Sequence, residues 1–280
     1  MKFEVPDEWR LFAESARAAI GEWEPLREPE LGAWQDDRDE AFAAPLAAAG
    51  WTELWASRDL LGPVVAGGLE LGRAVVPVCV IDETTLGAPL SVDGRARHGL
   101  NAQSFAVPLR GGGLALAAPS SEARPEATID GSGTVRVVVD VVGELDPVAA
   151  AACWHAWSAA TLGYLAGLAG QALELAVEHA KTREQFGAPL AALPAVQSRL
   201  ADASLTVDAL TLLAWAFAAD ERSLPAPELL WAGAACCEVT ASAHQVHGAV
   251  GYALETGLHR FYRRACALQT WTSAACQAAR

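Results

Sequence analysis

Positive charge is scarce in this chain. Lysine occurs only at Lys2 and Lys181, acidic residues number 34, and the formal net charge is −14. Nucleic acid is therefore excluded as a partner class, because neutralising phosphates needs a basic footprint. Paired cysteines are also lacking. Cys79, Cys153, Cys236, Cys237, Cys266 and Cys276 form no C-x-x-C unit and no Cys/His cluster with zinc spacing. They read as reduced, buried thiols of a cytoplasmic protein. The stretch Met1-Lys2-Phe3-Glu4-Val5-Pro6-Asp7-Glu8 has no apolar core and does not read as a signal peptide. Finally, no charged residue occurs between Pro147 and Leu173. These 27 residues could span a bilayer by length alone. Pro147 at the start, the interruptions His155, Ser158, Thr161 and Gln171, the sparse leucine and the missing basic flanks point instead to a buried helix of close-packed small residues. No membrane is expected.

Hydrophobic residues make up 52% of the 280, enough for a sizeable core in one large domain or two to three small ones. Residues 1–82 read as helices. Asp7 is a plausible N-cap, and Trp9, Phe12, Ala16, Ala19, Ile20 and Trp23 recur at helical spacing. Asp36-Asp37-Arg38-Asp39-Glu40 reads as a solvated helix start, with Phe42, Leu46, Ala49 and Gly50 behind it. A further helix is expected over 64–76, where Gly67, Gly68 and Gly72 permit close contact. Residues 83–146 change character. Turn signals at Gly87-Ala-Pro89, Asp93-Gly94, Gly111-Gly-Gly113 and Asp130-Gly131 separate short apolar runs at 104–109, 114–118 and 135–142, which predict strands. The triple glycine is expected in a hairpin turn, because no helix start and no Lys-Ser/Thr follow it. Residues 147–280 return to helix. Pro194 is suited to open one, and Val196, Leu200, Ala203, Val207, Leu210, Ala214 and Phe217 form a core stripe for an antiparallel helix bundle. Another helix is expected from about Glu228 to His247, behind Pro225 and Pro227 and ended by Gly248 and Gly251.

Two motifs and one substitution carry the chemistry. The first is Lys181-Thr-Arg-Glu-Gln-Phe-Gly187, followed by Pro189, Gln197 and Leu200-Ala-Asp202. The second is Gln245-Val-His-Gly-Ala-Val-Gly-Tyr252. Past it, Trp271 is followed by Thr272. Together they resemble the C-terminal domain of the acyl-CoA dehydrogenase family. The order of helices, small β section and helix bundle matches that family too. The implied fold is mainly α with a small β section: N-terminal helices (1–82), a truncated middle β domain (83–146) and a C-terminal four-helix bundle (147–280).

The resemblance implies FAD. Arg183 would bind its pyrophosphate through the fixed fork of a guanidinium, and Phe186 would pack beside it. Gln245 and the Gly248 turn would lie along the same dinucleotide, with Ala249 where the family often has a second glycine. In the family both motifs serve the flavin of a neighbouring subunit. The segment that covers a chain's own flavin is a Glu-Pro-Gly-Ala-Gly-Ser-like string, of which Ala118-Pro119-Ser120-Ser121 is at best a remnant. The catalytic glutamate usually follows the aromatic residue at 271. Here that place holds Thr272, so no catalytic residue is assigned. The alternative glutamate position of some members falls near Trp157. Glu174, Glu178 and Glu184 read as exposed helix charges, and Glu255 is the remaining substitute base to test. His244 and His247 have no further ligand cluster around them, so no metal is expected. Arg260, Arg263 and Arg264 form the only basic cluster, most simply as internal ion pairs and otherwise as contacts to a partner or to CoA phosphates.

The implied role is a half-site or non-catalytic subunit of a heteromeric FAD-dependent acyl-CoA dehydrogenase. Such shortened subunits resemble those of actinobacterial steroid side-chain degradation, which pair with a full-length homologous chain as α2β2. Two alternatives remain open: a self-sufficient flavoenzyme with oxidase or monooxygenase chemistry, and a helical scaffold without flavin.

Overall fold

The computed structural model describes residues 6–21, 48, 50–51, 61–219 and 226–280. The acidic segment 36–40, Trp23, Phe42, Leu46, Ala49 and Pro225 lie outside them. Helix α1 (Asp7–Ile20) starts one residue after Pro6, which occupies the N-cap position. Asp7 is thus the first helical residue rather than the cap. There its carboxylate pairs with Arg10 on the next turn. Further along α1, Arg17 forks onto both oxygens of Glu70, at 2.8 and 2.7 Å, and Trp9 stacks on Trp215 with ring centroids 5.2 Å apart. These contacts fasten α1 to α2 (Leu61–Arg73) and to the later bundle.

Helix α2 packs along α4 (Pro147–Thr182), the charge-poor segment, which is buried without a break from Trp154 to Ala169. Asp146 caps α4 through Val148 N–H and Ala149 N–H at 3.0 and 3.1 Å. The small residues of both helices explain the contact. A Cβ on Gly72 would stand 2.0 Å from the Tyr164 carbonyl oxygen, and one on Gly167 would stand 2.0 Å from that of Leu69. Backbones this close leave no room for any side chain, so alanine at either place forces the two helices apart. The charge-free run is therefore a packed inner helix, although it is long and apolar enough to cross a membrane.

Helix α3 (Cys79–Leu86) leads into two small sheets, ordered β1(Ser91–Val92)-β2(Arg95–Arg97)-β6(Thr134–Arg136)-β5(Arg124–Pro125) and β3(Phe105–Leu109)-β4(Gly113–Pro119)-β7(Val139–Glu144). The triple glycine lies at the β3–β4 hairpin, with Leu109 opposite Gly113. The valine-rich run at 135–142 is not one strand. Its first half pairs in one sheet and its second in the other. Between them Val137 N–H donates to Gly94 O at 2.9 Å, and Val138 N–H to Ser121 Oγ at 2.9 Å. A local hydrophobic pattern has no means of marking a change of sheet.

After α4 come a tight hairpin, β8(Glu184–Gln185) and β9(Ala188–Pro189), then α5(Pro194–Ala218), α6(Ala226–His247) and α7(Leu258–Ala278). Pro194 opens α5 as expected, and α6 starts two residues before the expected Glu228, with Pro227 in its first turn. All six cysteines are free thiols.

Candidate functional site

Helix α4 ends at Thr182, and Arg183 N–H donates back to His179 O at 2.8 Å. The chain then reverses in two residues. Glu184 faces Pro189 and Gln185 faces Ala188, leaving Phe186 and Gly187 as the turn. Their φ values are +57° and +82°, the left-handed pair that a two-residue hairpin of this hand requires. Glycine adopts this conformation freely, whereas a phenylalanine is strained in it. The strained ring is also 91% exposed. Among the described residues no ring contact is made by Phe186.

The second motif arrives at the end of α6. The His247 ring stacks on His179, centroids 4.3 Å apart and 23° between planes. His247 Nδ1 lies 2.8 Å from Ala243 O, and because a carbonyl only accepts, that nitrogen carries the proton. The stack joins the two motif-bearing helix ends, and Arg183, Phe186, Gln245, Gly248 and Ala249 are all exposed. Burial, then the neighbouring His247, then Arg183 push the His179 pKa below its ordinary value, so that ring is neutral at pH 7. Among the described residues no carboxylate pairs with Arg183, which leaves its guanidinium available for an anion. His244 takes no part: it is buried against Tyr252 and Tyr262, at 5.2 and 5.7 Å.

The two base positions converge elsewhere, in the interior. Thr272 is 0% exposed, and its hydroxyl donates to Leu268 O at 2.8 Å within its own helix. Trp157 is fully buried, and its indole N–H donates to Asp82 Oδ1 at 2.8 Å. Arg97 spans both Asp82 oxygens at 3.1 Å each, and its guanidinium carbon stands 4.8 Å from the ring centroid of Trp271. One continuous layer, Trp271–Arg97–Asp82–Trp157, thus joins the two places. Asp82 is a carboxylate in the right neighbourhood. Its oxygens are taken by Arg97 and Trp157, and solvent does not reach it, so it is not placed to take a proton from a thioester. Sequence reasoning passed over Asp82 and Arg97. Asp82 follows an apolar run but is succeeded by Glu83, and Arg97 lies close after Asp93 and Arg95, so nothing local names them as partners.

The other candidates fall outside this layer. Glu255 is exposed on a surface 3₁₀ turn. Glu174 pairs with Arg73 at 2.9 Å. Ser120 and Ser121, the remnant of the flavin-covering string, are tied to the Val138 backbone. Arg264 makes an internal ion pair, 2.8 Å from Asp130, and donates to Val76 O and Tyr164 OH at 3.1 and 3.2 Å. Burial works to raise the Asp130 pKa, but Arg264 with Ser132 and Thr128 outweighs it and holds the carboxyl below its ordinary value.

Known proteins resemble the chain in fold and, over part of its length, in sequence. The whole chain superposes on a chain of the Tcur3481–Tcur3483 steroid ACAD G363A variant with a TM-score of 0.78 and 20% identity, covering 98% of this chain and 96% of that one. It superposes on one of the ChsE4–ChsE5 complex from Mycobacterium tuberculosis with a TM-score of 0.72 and 20% identity, over the same shares. The chain thus has the acyl-CoA dehydrogenase fold. Residues 156–272 match the family model "Acyl-CoA dehydrogenase, C-terminal domain", and the chain carries that domain. Over 104 residues it is 41% identical to 3-sulfinopropanoyl-CoA desulfinase of Paraburkholderia xenovorans (strain LB400), which is 35% of this chain and 27% of that relative. It is 38% identical over 105 residues to the mitochondrial short-chain specific acyl-CoA dehydrogenase of Bos taurus, 35% of this chain and 26% of the relative. The aligned stretch spans about a quarter of these curated relatives.

Proposed function

We propose that this chain is the half-site subunit of a heteromeric FAD-dependent acyl-CoA dehydrogenase. The observation that carries the reading is the burial of both places where the family keeps its base: Thr272 is closed off within its own helix, and Trp157 is bonded to an Asp82 that Arg97 already holds. FAD, when bound, supplies the hydride acceptor. Arg183 holds its pyrophosphate, Phe186 shields that contact from water, and Gln245 with the Gly248–Ala249 turn lines the dinucleotide. These residues fit the group from outside: a cation with no carboxylate partner among the described residues, beside an exposed, strained aromatic ring, suits a phosphate-bearing ligand held mainly by another chain. That chain, a homologous full-length subunit in an α2β2 assembly, contributes the catalytic glutamate and the acyl pocket. Both structural neighbours are named as pairs of unlike chains and one is named a steroid ACAD, which supports a heteromer as the working form and a bulky, steroid-type acyl-CoA thioester as substrate; a cytoplasmic location is part of the same proposal. The proposed domains are 1–82, 83–146 and 147–280.

Purified alone, the chain is expected to be colourless. Co-purified with a full-length acyl-CoA dehydrogenase encoded beside it, the complex is expected to be yellow, as flavin absorbance will report. Stoichiometric FAD in a homo-oligomer of this chain would overturn the reading and favour the self-sufficient flavoenzyme.

Arg183→Ala in the complex is expected to weaken FAD roughly tenfold to a hundredfold, the worth of a charge-assisted phosphate contact. Far-UV circular dichroism should not change, because the side chain is exposed. Unaltered flavin affinity would make Arg183 an ordinary surface residue.

A further inference from the structure

Two half-buried thiols meet where α6 packs on α7. Cys237 Sγ lies 3.9 Å from Cys266 Sγ, although 29 positions separate the two residues. The backbones are close here. One turn before Cys237, a Cβ on Gly233 would stand 3.1 Å from the Cα of Gln269, which lies one turn after Cys266. A disulfide needs its Cβ atoms about 4 Å apart. Antiparallel helices held this near by a glycine let facing cysteines join by side-chain rotation rather than backbone movement.

The surroundings give the two sulfurs different parts. Cys266 Sγ faces two donors, the Cys237 S–H and the Tyr262 hydroxyl. Donors directed at a sulfur favour its thiolate, the form that attacks. Burial first, and then the neighbouring Cys266, push the Cys237 pKa up to about 12, so Cys237 keeps its proton. That S–H also reaches Gln269 Oε1 at 3.2 Å. The hydrogen bond to Cys266 likewise raises the Tyr262 pKa and keeps the phenol a donor. Tyr262 and Gln269 are exposed, so small solutes reach the pair from solvent. The other thiols are placed differently. Cys79, Cys236 and Cys276 are buried, and Cys153, half-buried, has its pKa raised by burial alone.

We propose that Cys237 and Cys266 form a peroxide-reactive modification site, with Cys266 as the nucleophile, Cys237 as the resolving thiol and a reversible disulfide between α6 and α7 as the product. The Cys266 thiolate attacks one oxygen of hydrogen peroxide, the O–O bond breaks, and hydroxide leaves with the electron pair. Cys266 becomes a sulfenic acid, and the hydroxide takes the proton first released from Cys266 to give water. The Cys237 sulfur then attacks the Cys266 sulfur. The S–O bond breaks, and the hydroxyl departs as a second water with the Cys237 proton. Two thiols are oxidised and one peroxide is reduced. The resolving thiol stops oxidation at the disulfide, before the irreversible sulfinic stage. Nothing in this chemistry depends on flavin or on a partner chain, so the site stands apart from the half-site reading.

The test treats the reduced full chain with hydrogen peroxide. Free thiols should fall by two from the six of the reduced chain, the intact mass should drop by two hydrogens, and dithiothreitol should restore both. Peptide mapping should place the link between the α6 and α7 cysteines. Because Cys236 adjoins Cys237, variants decide which sulfur is used. Cys237→Ser should form no link and should leave a dimedone-reactive sulfenic acid at Cys266. Cys266→Ser should slow thiol loss at least about tenfold. The oxidised wild type should unfold at a higher denaturant midpoint, because the closed loop restricts the unfolded chain. The proposal is overturned if all six thiols survive peroxide that consumes free cysteine, or if the link joins other cysteines or two chains. It is equally overturned if Cys237→Ser still forms the wild-type link, or if Cys266→Ser loses thiols as fast as the wild type.

Discussion

Asp82→Ala is expected to destabilise the chain by about 3–5 kcal/mol, read as a shift in the denaturant midpoint. The carboxylate is fully buried and answers two donors, the Arg97 guanidinium at 3.1 Å and the Trp157 indole at 2.8 Å. Its removal leaves an uncompensated charge in the interior and an indole N–H without an acceptor. Each of these costs more than an average hydrogen bond contributes. Against a typical net stability of roughly 5–15 kcal/mol, that is a large fraction. The double change Asp82→Leu with Arg97→Met should recover most of the loss, because a buried pair replaced as a whole by apolar groups is often neutral. A loss under about 1 kcal/mol for Asp82→Ala would mean that water reaches the pair. The Trp157 position would then be open to solvent, and a base site there would no longer be closed.

Much of the fold could be read from the chain because the determinants are local. Gly68 and Gly72 announced a close helix contact whose other side the charge-free run supplies, whereas Gly67, expected with them, lies against the Trp51 and Phe12 rings. The two motif segments likewise named the exposed residues at the ends of α4 and α6. Three features could not be read this way. Asp82 and Arg97 are 15 positions apart and belong to different elements; Asp82 stands beside Glu83 and Arg97 near Asp93 and Arg95, so neither is marked locally as the buried one. Only the folded backbone makes them partners. The change of sheet within 135–142 depends on backbone groups of Gly94 and on the Ser121 hydroxyl. In α5, helical spacing marks the inner stripe, but the exposure of Leu205 and Leu212 on the opposite side is fixed only by which elements pack around the helix.

Thr272→Glu is expected to cost about 3–5 kcal/mol as well, and to confer no dehydrogenation. The threonine is fully buried and its hydroxyl is already bonded to Leu268 O, so the larger side chain has neither space nor a waiting partner. A carboxylate there must either be buried with its charge or take up a proton, and both lower the stability of the fold at pH 7. Thr272→Val supplies the control. It keeps the shape, and the Leu268 carbonyl remains in the helix ladder, so a loss of about 1 kcal/mol or less is expected. The contrast between the two variants separates the introduced charge from the lost hydroxyl. Activity is the second readout. A general base needs a bound thioester and a flavin poised to accept hydride, and at this position the structure has Trp271 stacked under Arg97. In the proposed complex, acyl-CoA oxidation should therefore depend on the partner's glutamate alone and vanish when that residue is changed to glutamine. Suppose instead that Thr272→Glu folds with native stability and oxidises acyl-CoA beside a partner lacking its glutamate. The pocket in this chain would then be open and short of nothing but a base, and the half-site reading would give way to a complete active site silenced by one substitution.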